Sequence, residues 1–147
     1  CALPISFSNA IGQSEDGEGF VKAARCAMKL AEVSPGEIDV IKTHGTGTKS
    51  NNQSEGSAIS RMFGHSGFVA TSYKQKIGHT MGVSGLLETC MLISDMAAGI
   101  IPGIENRTED DDVFLSQDID APNTATILSM AAGMGNVYSA AVLTTEI

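Results

Sequence analysis

The chain has 147 residues, close to the roughly 150 expected of one domain, so it reads as a single domain or as half of a larger fold. Nine Lys plus Arg against seventeen Asp plus Glu leave a net charge of -8, which argues against a nucleic-acid binder because phosphate contacts need a clustered positive face. Hydrophobic content of 42% excludes wholesale disorder, and no apolar run approaches the roughly 20 residues of a membrane span.

Ala2 to Ile11 is apolar with small polar residues and predicts a strand followed by a loop. Ser14-Glu15-Asp16-Gly17 supplies a polar helix start, and Phe20, Ala24, Ala27, Met28 and Ala31 continue it at helical spacing until Ser34-Pro35-Gly36. Ile38 to Thr43 reads as a short strand entering a loop at His44. Asn52 with Glu55 resembles a capping box, and a helix is expected from there to about Phe63. Phe68 to Thr71 is a second strand candidate. Thr80 to Ala98 reads as the longest helix, with Gly99 placed for a left-handed cap and Pro102 for a stop. Thr108 to Asp112 is read as a solvated acidic turn, since adjacent carboxylates cannot all face one ion; no metal site is expected. Thr126 to Met130 is a strand, Gly133 to Asn136 a turn, and Val137 to Leu143 a final strand.

Strands separated by helices imply crossover connections and an α/β fold with a largely parallel sheet, closed by an antiparallel strand pair at the C-terminal end. The cysteines Cys1, Cys26 and Cys90 are too widely spaced for a metal knuckle. Their odd number favours reduced thiols and a cytoplasmic setting, and Cys26 and Cys90 are expected as small buried hydrophobes within helices. The chain opens on Cys1 rather than Met, so the expectation is either that something was removed upstream or that the chain is a piece of something longer.

In such sheets, reactive groups gather beyond the carboxyl ends of the strands, which selects two loops. His44-Gly45-Thr46-Gly47-Thr48 follows a strand directly; its glycines permit a sharp bend and close ligand approach, and its hydroxyls can bind a polar arm. A histidine after a strand can equally be structural. The second loop, Tyr73 to Thr80, ends where the long helix is expected to begin, and a helix amino end disfavours a protonated His79. Lys74 would push the same way if near, though it could also be a solvated surface lysine.

His44 to Thr48 with Glu55 resembles the HGTGT(x6)E motif of the β-ketoacyl-acyl-carrier-protein synthases, and Lys74 to His79 resembles that family's KxxxGH motif. Gly82, Gly85 and Glu88 continue a GHxxGxxGxxE pattern similar to the long-chain (type II) branch. Gly133 and Asn136 fall where a GFGGTN-like turn would sit. The resemblance spans nearly the whole chain.

It implies that residues 1–147 form the C-terminal half of a thiolase-like fold, with the nucleophilic cysteine in an N-terminal half not contained in this sequence. The implied reaction is decarboxylative condensation of an acyl thioester with malonyl carried on acyl carrier protein, in fatty-acid or polyketide-type synthesis. His44 and His79 would stabilise the enolate left by decarboxylation. Lys74 would keep His79 neutral and could pair with Glu55, while Thr46 and Thr48 would bind the phosphopantetheine arm. Ala132 and Gly133 would belong to the oxyanion and gating turn. No tightly bound cofactor is implied, because phosphopantetheine arrives on the carrier protein.

The implied partners are that carrier protein, the N-terminal half, and a second subunit in a homodimer or heterodimer, with no membrane partner. Alone, the chain is expected to be an inactive part of an acyltransferase. Asn52 stands where an acidic residue is usual, Ala132 where a bulky Phe gates the pocket, and Met134 where a glycine is usual. The alternative is a partner subunit without a nucleophile that sets chain length. A serine hydrolase is disfavoured, since Gly82-Val83-Ser84-Gly85 is not a GxSxG elbow, and a thiolase would need a second cysteine at the final turn.

Overall fold

The computed structural model describes residues 5–7, 13–64, 67–104 and 117–146. The acidic turn at 108–112 and Cys1 lie outside the described residues. Among the described residues, seven strands and four α-helices occur in the order β1 (Ile5–Phe7), α1 (Glu18–Ala31), β2 (Val40–Lys42), α2 (Lys49–Phe63), β3 (Val69–Thr71), α3 (Lys74–Ile77), α4 (Ser84–Ala97), β4 (Ile100–Ile101), β5 (Ile119–Asp120), β6 (Thr124–Gly133) and β7 (Val137–Glu146). The main sheet has the order β1-β7-β6-β2-β3, and β4 pairs with β5 separately.

β6, β2 and β3 are parallel neighbours, with Lys42 level with Ser129 on one side and Thr71 on the other. The C-terminal antiparallel pair is present as the β6–β7 hairpin, in register from Thr124 opposite Glu146 to Gly133 opposite Val137. β1 adds a second antiparallel pairing along β7.

Side-chain alternation along the strands divides the core between the two faces of the sheet. On one face α1 and α2 pack Phe20, Ala24, Ala58 and Ile59 against Ile41, Leu128, Met130 and Tyr138. On the other, α4 packs Leu92 and Met96 against Val40, Ile127 and Tyr73. Among the described residues no helix is long and apolar enough to cross a membrane.

Several local expectations are corrected. The cap of α2 is Thr48, whose hydroxyl accepts from the Asn51 N–H at 3.4 Å, and not Asn52. The helix therefore starts four residues earlier and, at 15 residues, is longer than α4 with 14. Residues 81–83 form a short 3-10 turn, so α4 begins only at Ser84. Gly99 does take left-handed backbone, at φ +88°. Cys26 and Cys90 are exposed rather than buried. Cys26 shares the outward face of α1 with Lys22 and Lys29, and Cys90 lies one turn beyond the exposed Leu86.

Candidate active site

Three parallel strands end at one edge of the sheet, so the loops that leave them lie side by side. β2 delivers His44, β3 delivers Tyr73 and Lys74, and the end of β6 delivers Ala131 to Gly133. The first two loops are stitched across their first turn. The Thr43 hydroxyl donates to the Thr71 carbonyl at 2.9 Å, and the Ser72 hydroxyl donates to the Gly45 carbonyl at 3.1 Å. Gly45 has φ +55°, and a Cβ there would sit 2.1 Å from the Ser72 hydroxyl oxygen, so only glycine allows this approach.

The structure brings the His44 and His79 rings to 5.5 Å between centroids, inclined at 78°. Both line a cavity of about 640 Å³, with Ser84, Ser129, Ala132 and Gly133 among its other walls. His44 is buried, and its Nδ1 has no hydrogen-bond partner among the described residues. Burial first, then the Lys74 and Lys42 ammonium groups and His79, lower its pKa to about 3, so the ring is neutral at ordinary pH. His79 is exposed, and its Nδ1 accepts the Met81 backbone N–H at 3.1 Å. That bond uses Nδ1 as an acceptor, so Nε2 is the nitrogen free to donate. His79 therefore owes its orientation to the 3-10 turn after it, and not to direct placement at the start of α4.

Lys74 is buried, but it does not pair with Glu55 as the sequence suggested. Its Nζ lies 2.7 Å from Glu88 Oε1 and also donates to the His44 carbonyl. Glu55 is spent on the histidine loop: it accepts the His44 N–H at 2.5 Å, the Gly45 N–H at 2.9 Å and the Asn51 side-chain amide at 3.1 Å. Burial pushes the Glu55 carboxyl upward, and the three N–H donors oppose that shift. The Thr46 and Thr48 hydroxyls contact one another at 3.1 Å, and neither lines the cavity.

The hairpin turn accepts Met134 without strain, because left-handed backbone falls on Gly135 (φ +78°) and Asn136 (φ +56°) instead. Met134 is 88% exposed at the rim of the cavity. Sequence reasoning missed Lys42, which is wholly buried at the end of β2 with its Nζ 3.5 Å from Glu88 Oε2. A charged residue ending an otherwise apolar strand was the available signal. It also missed the hydroxyl pair Thr89–Ser129, 2.7 Å apart in the cavity wall.

A mixed sheet with parallel strand ends converging on two imidazoles and a buried amine defines a thiolase-like α/β domain. Residues 6–108 match the family described as beta-ketoacyl synthase, C-terminal domain, and the chain belongs to that family. It is 33% identical over 141 residues to the tetracenomycin polyketide synthase ketoacyl synthase alpha subunit of Streptomyces glaucescens, covering 90% of this chain and 32% of that protein. It is 31% identical over 123 residues to nodulation protein E of Rhizobium leguminosarum bv. trifolii, covering 80% and 31%. The chain thus spans about a third of the length of these curated relatives.

Among solved structures, a ketosynthase in complex with its chain length factor from Xenorhabdus doucetiae superposes with a TM-score of 0.81 at 26% identity, over 95% of this chain and 37% of that one. A type II polyketide ketosynthase in complex with its acyl-carrier protein superposes with a TM-score of 0.82 at 22% identity, over 99% and 37%, a likeness of fold.

Proposed function

We propose that this chain is the C-terminal half of a condensing acyltransferase, supplying the groups that decarboxylate malonyl carried on acyl carrier protein. The observation that carries the reading is the pair of rings 5.5 Å apart on one cavity, one of them held neutral by burial and two nearby ammonium groups. When the malonyl carboxylate leaves as carbon dioxide, its bonding electrons move onto the thioester carbonyl and give an enolate. An N–H of each imidazole can donate to that oxygen, and the neutral His44 ring does so without surrendering its proton. Each such preorganised donor is worth roughly 3 kcal/mol when removed singly. The enolate carbon then attacks an acyl group on a cysteine of the other half, and the cysteine leaves as thiolate.

In this reading Lys74 supports His44 through its carbonyl and its field, and Glu55 holds the loop by its N–H groups. The Ala132–Gly133 segment forms one wall of the acyl pocket, with the smaller Ala132 leaving it wider. Thr46 and Thr48 would meet the phosphopantetheine arm from outside the cavity. The partners are the acyl carrier protein, the cysteine-bearing half and a second synthase subunit. The named relatives that are ketosynthases, and the solved complexes with a carrier protein and with a chain length factor, support these assignments. A chain-length partner without chemistry would have no use for two converging imidazoles backed by a buried amine.

The test is made in the complete protein. His44→Ala and His79→Ala should each lower malonyl decarboxylation by about a hundredfold, with acyl loading of the cysteine retained. Decarboxylation at the parent rate in both variants would overturn the reading.

A further inference from the structure

We propose that Lys42 is a positioning residue for this site, tying the wall formed by β6 to the loop of His44 through a carboxylate it shares with Lys74. The proposal rests on the decarboxylation reading above.

Lys42 ends the middle strand of the three parallel ones and is 0% exposed. A buried ammonium is costly unless paired and hydrogen-bonded, and an apolar side chain of similar volume there is commonly as stable or more so. Its contacts explain what it does. Nζ donates to the Met130 carbonyl at 3.1 Å, in the stretch of β6 that runs into Ala132 and Gly133. It also stands 3.5 Å from Glu88 Oε2, while Glu88 Oε1 takes Lys74 Nζ at 2.7 Å and the Ser84 hydroxyl. Lys74 in turn donates to the His44 carbonyl.

The contacts run from the Met130 carbonyl through Lys42, Glu88 and Lys74 to the His44 carbonyl, joining two walls of the same cavity. Glu88 is already compensated on its other oxygen, so neutralising it does not by itself require Lys42. Among the described residues, the charged and titratable groups acting on His44 are Lys42 from β2, Lys74 from α3, His79 from the intervening loop and Glu55 from α2 on its N–H, with Glu88 from α4 held behind the two lysines. Lys42 is one of two cations in that set, and its field favours a neutral His44.

Lys42→Met, Lys42→Gln and Lys42→Arg, made in the complete protein, test this. The Gln variant keeps a donor for the Met130 carbonyl without the charge, and it carries the test where Met fails to fold. The His44 titration is followed by nitrogen-15 NMR, and malonyl decarboxylation is followed against pH. Met and Gln should raise the His44 midpoint and lower kcat about tenfold with KM unchanged, and Arg should restore both. An unmoved midpoint and an unmoved kcat in the folded uncharged variants would overturn the proposal. The NMR midpoint needs no turnover, so it reports on Lys42 even if His44→Ala shows the decarboxylation reading to be wrong.

Discussion

The buried ring of His44 makes proton binding part of the folding equilibrium. The folded ring resists protonation down to about 3, whereas the unfolded ring takes a proton near 6.5. The unfolded state is therefore the greater proton binder throughout that window, and stability falls as pH drops through it. The group contributes up to about 1.4 kcal/mol per pH unit. Urea unfolding measured from about pH 6.5 to about pH 4.5 should show this slope in the parent and a shallower one in His44→Gln, because carboxylates act alike in both. Equal slopes would mean that the ring protonates in the fold. His44, His79 and Lys74 were legible in the sequence, because glycine-rich loops directly after strands and specific spacings mark them. Lys42 was marked only as a charge ending an apolar strand, because its pairing with Glu88 of a distant helix is set by tertiary packing. The partner of Lys74 was misread for a related reason: spacing offers two glutamates, and only tertiary packing decides which one meets the ammonium.

Elements position these residues through backbone that tolerates little change. Gly45→Ala would force left-handed backbone on an alanine, at about 1–2 kcal/mol, and would push its Cβ into the Ser72 hydroxyl. A loss of at least about 2 kcal/mol is expected, read as a lowered Tm, together with displacement of His44 and loss of decarboxylation in the complete protein. A variant with the parent Tm would contradict the observed loop geometry. The order of helices and strands could be read because apolar periodicity changes cleanly between helical and alternating segments. Two helix starts could not. Thr48 and Asn52 are both competent caps, and Glu55, the residue that would complete the box with Asn52, is drawn instead to the His44 and Gly45 N–H groups. Before α4, the glycines at 78, 82 and 85 leave the backbone free to form a 3-10 turn that orients His79. The outward phase of Cys26 was available from Lys22 and Lys29 beside it, but the usual burial of cysteine outweighed it.

Among the described residues helices cover both faces of the sheet, but the side of α4 keeps more apolar surface exposed. α1 and α2 close one face of the sheet, whereas Met81, Val83 and Leu86 around the start of α4 are 64%, 51% and 69% exposed, with Met134 across the cavity rim. Apolar surface gathered in this way favours association. The isolated 147-residue chain should self-associate in sedimentation experiments, and Leu86→Gln combined with Met81→Gln should shift it toward monomer. A parent chain that stays monomeric at high concentration would count against a cooperative apolar patch. The bonds that anchor the cavity walls, by contrast, terminate on main chain. Glu55 holds the His44 and Gly45 N–H groups, and Lys74 and Lys42 hold the His44 and Met130 carbonyls. Every amino acid offers that same carbonyl, and all but proline offer that N–H, so residue identity can drift along β6, though not at Gly45, while a few anchors preserve the outline. Such an arrangement suits a lineage in which about three quarters of the letters differ from a solved ketosynthase and the fold still superposes with a TM-score of 0.81.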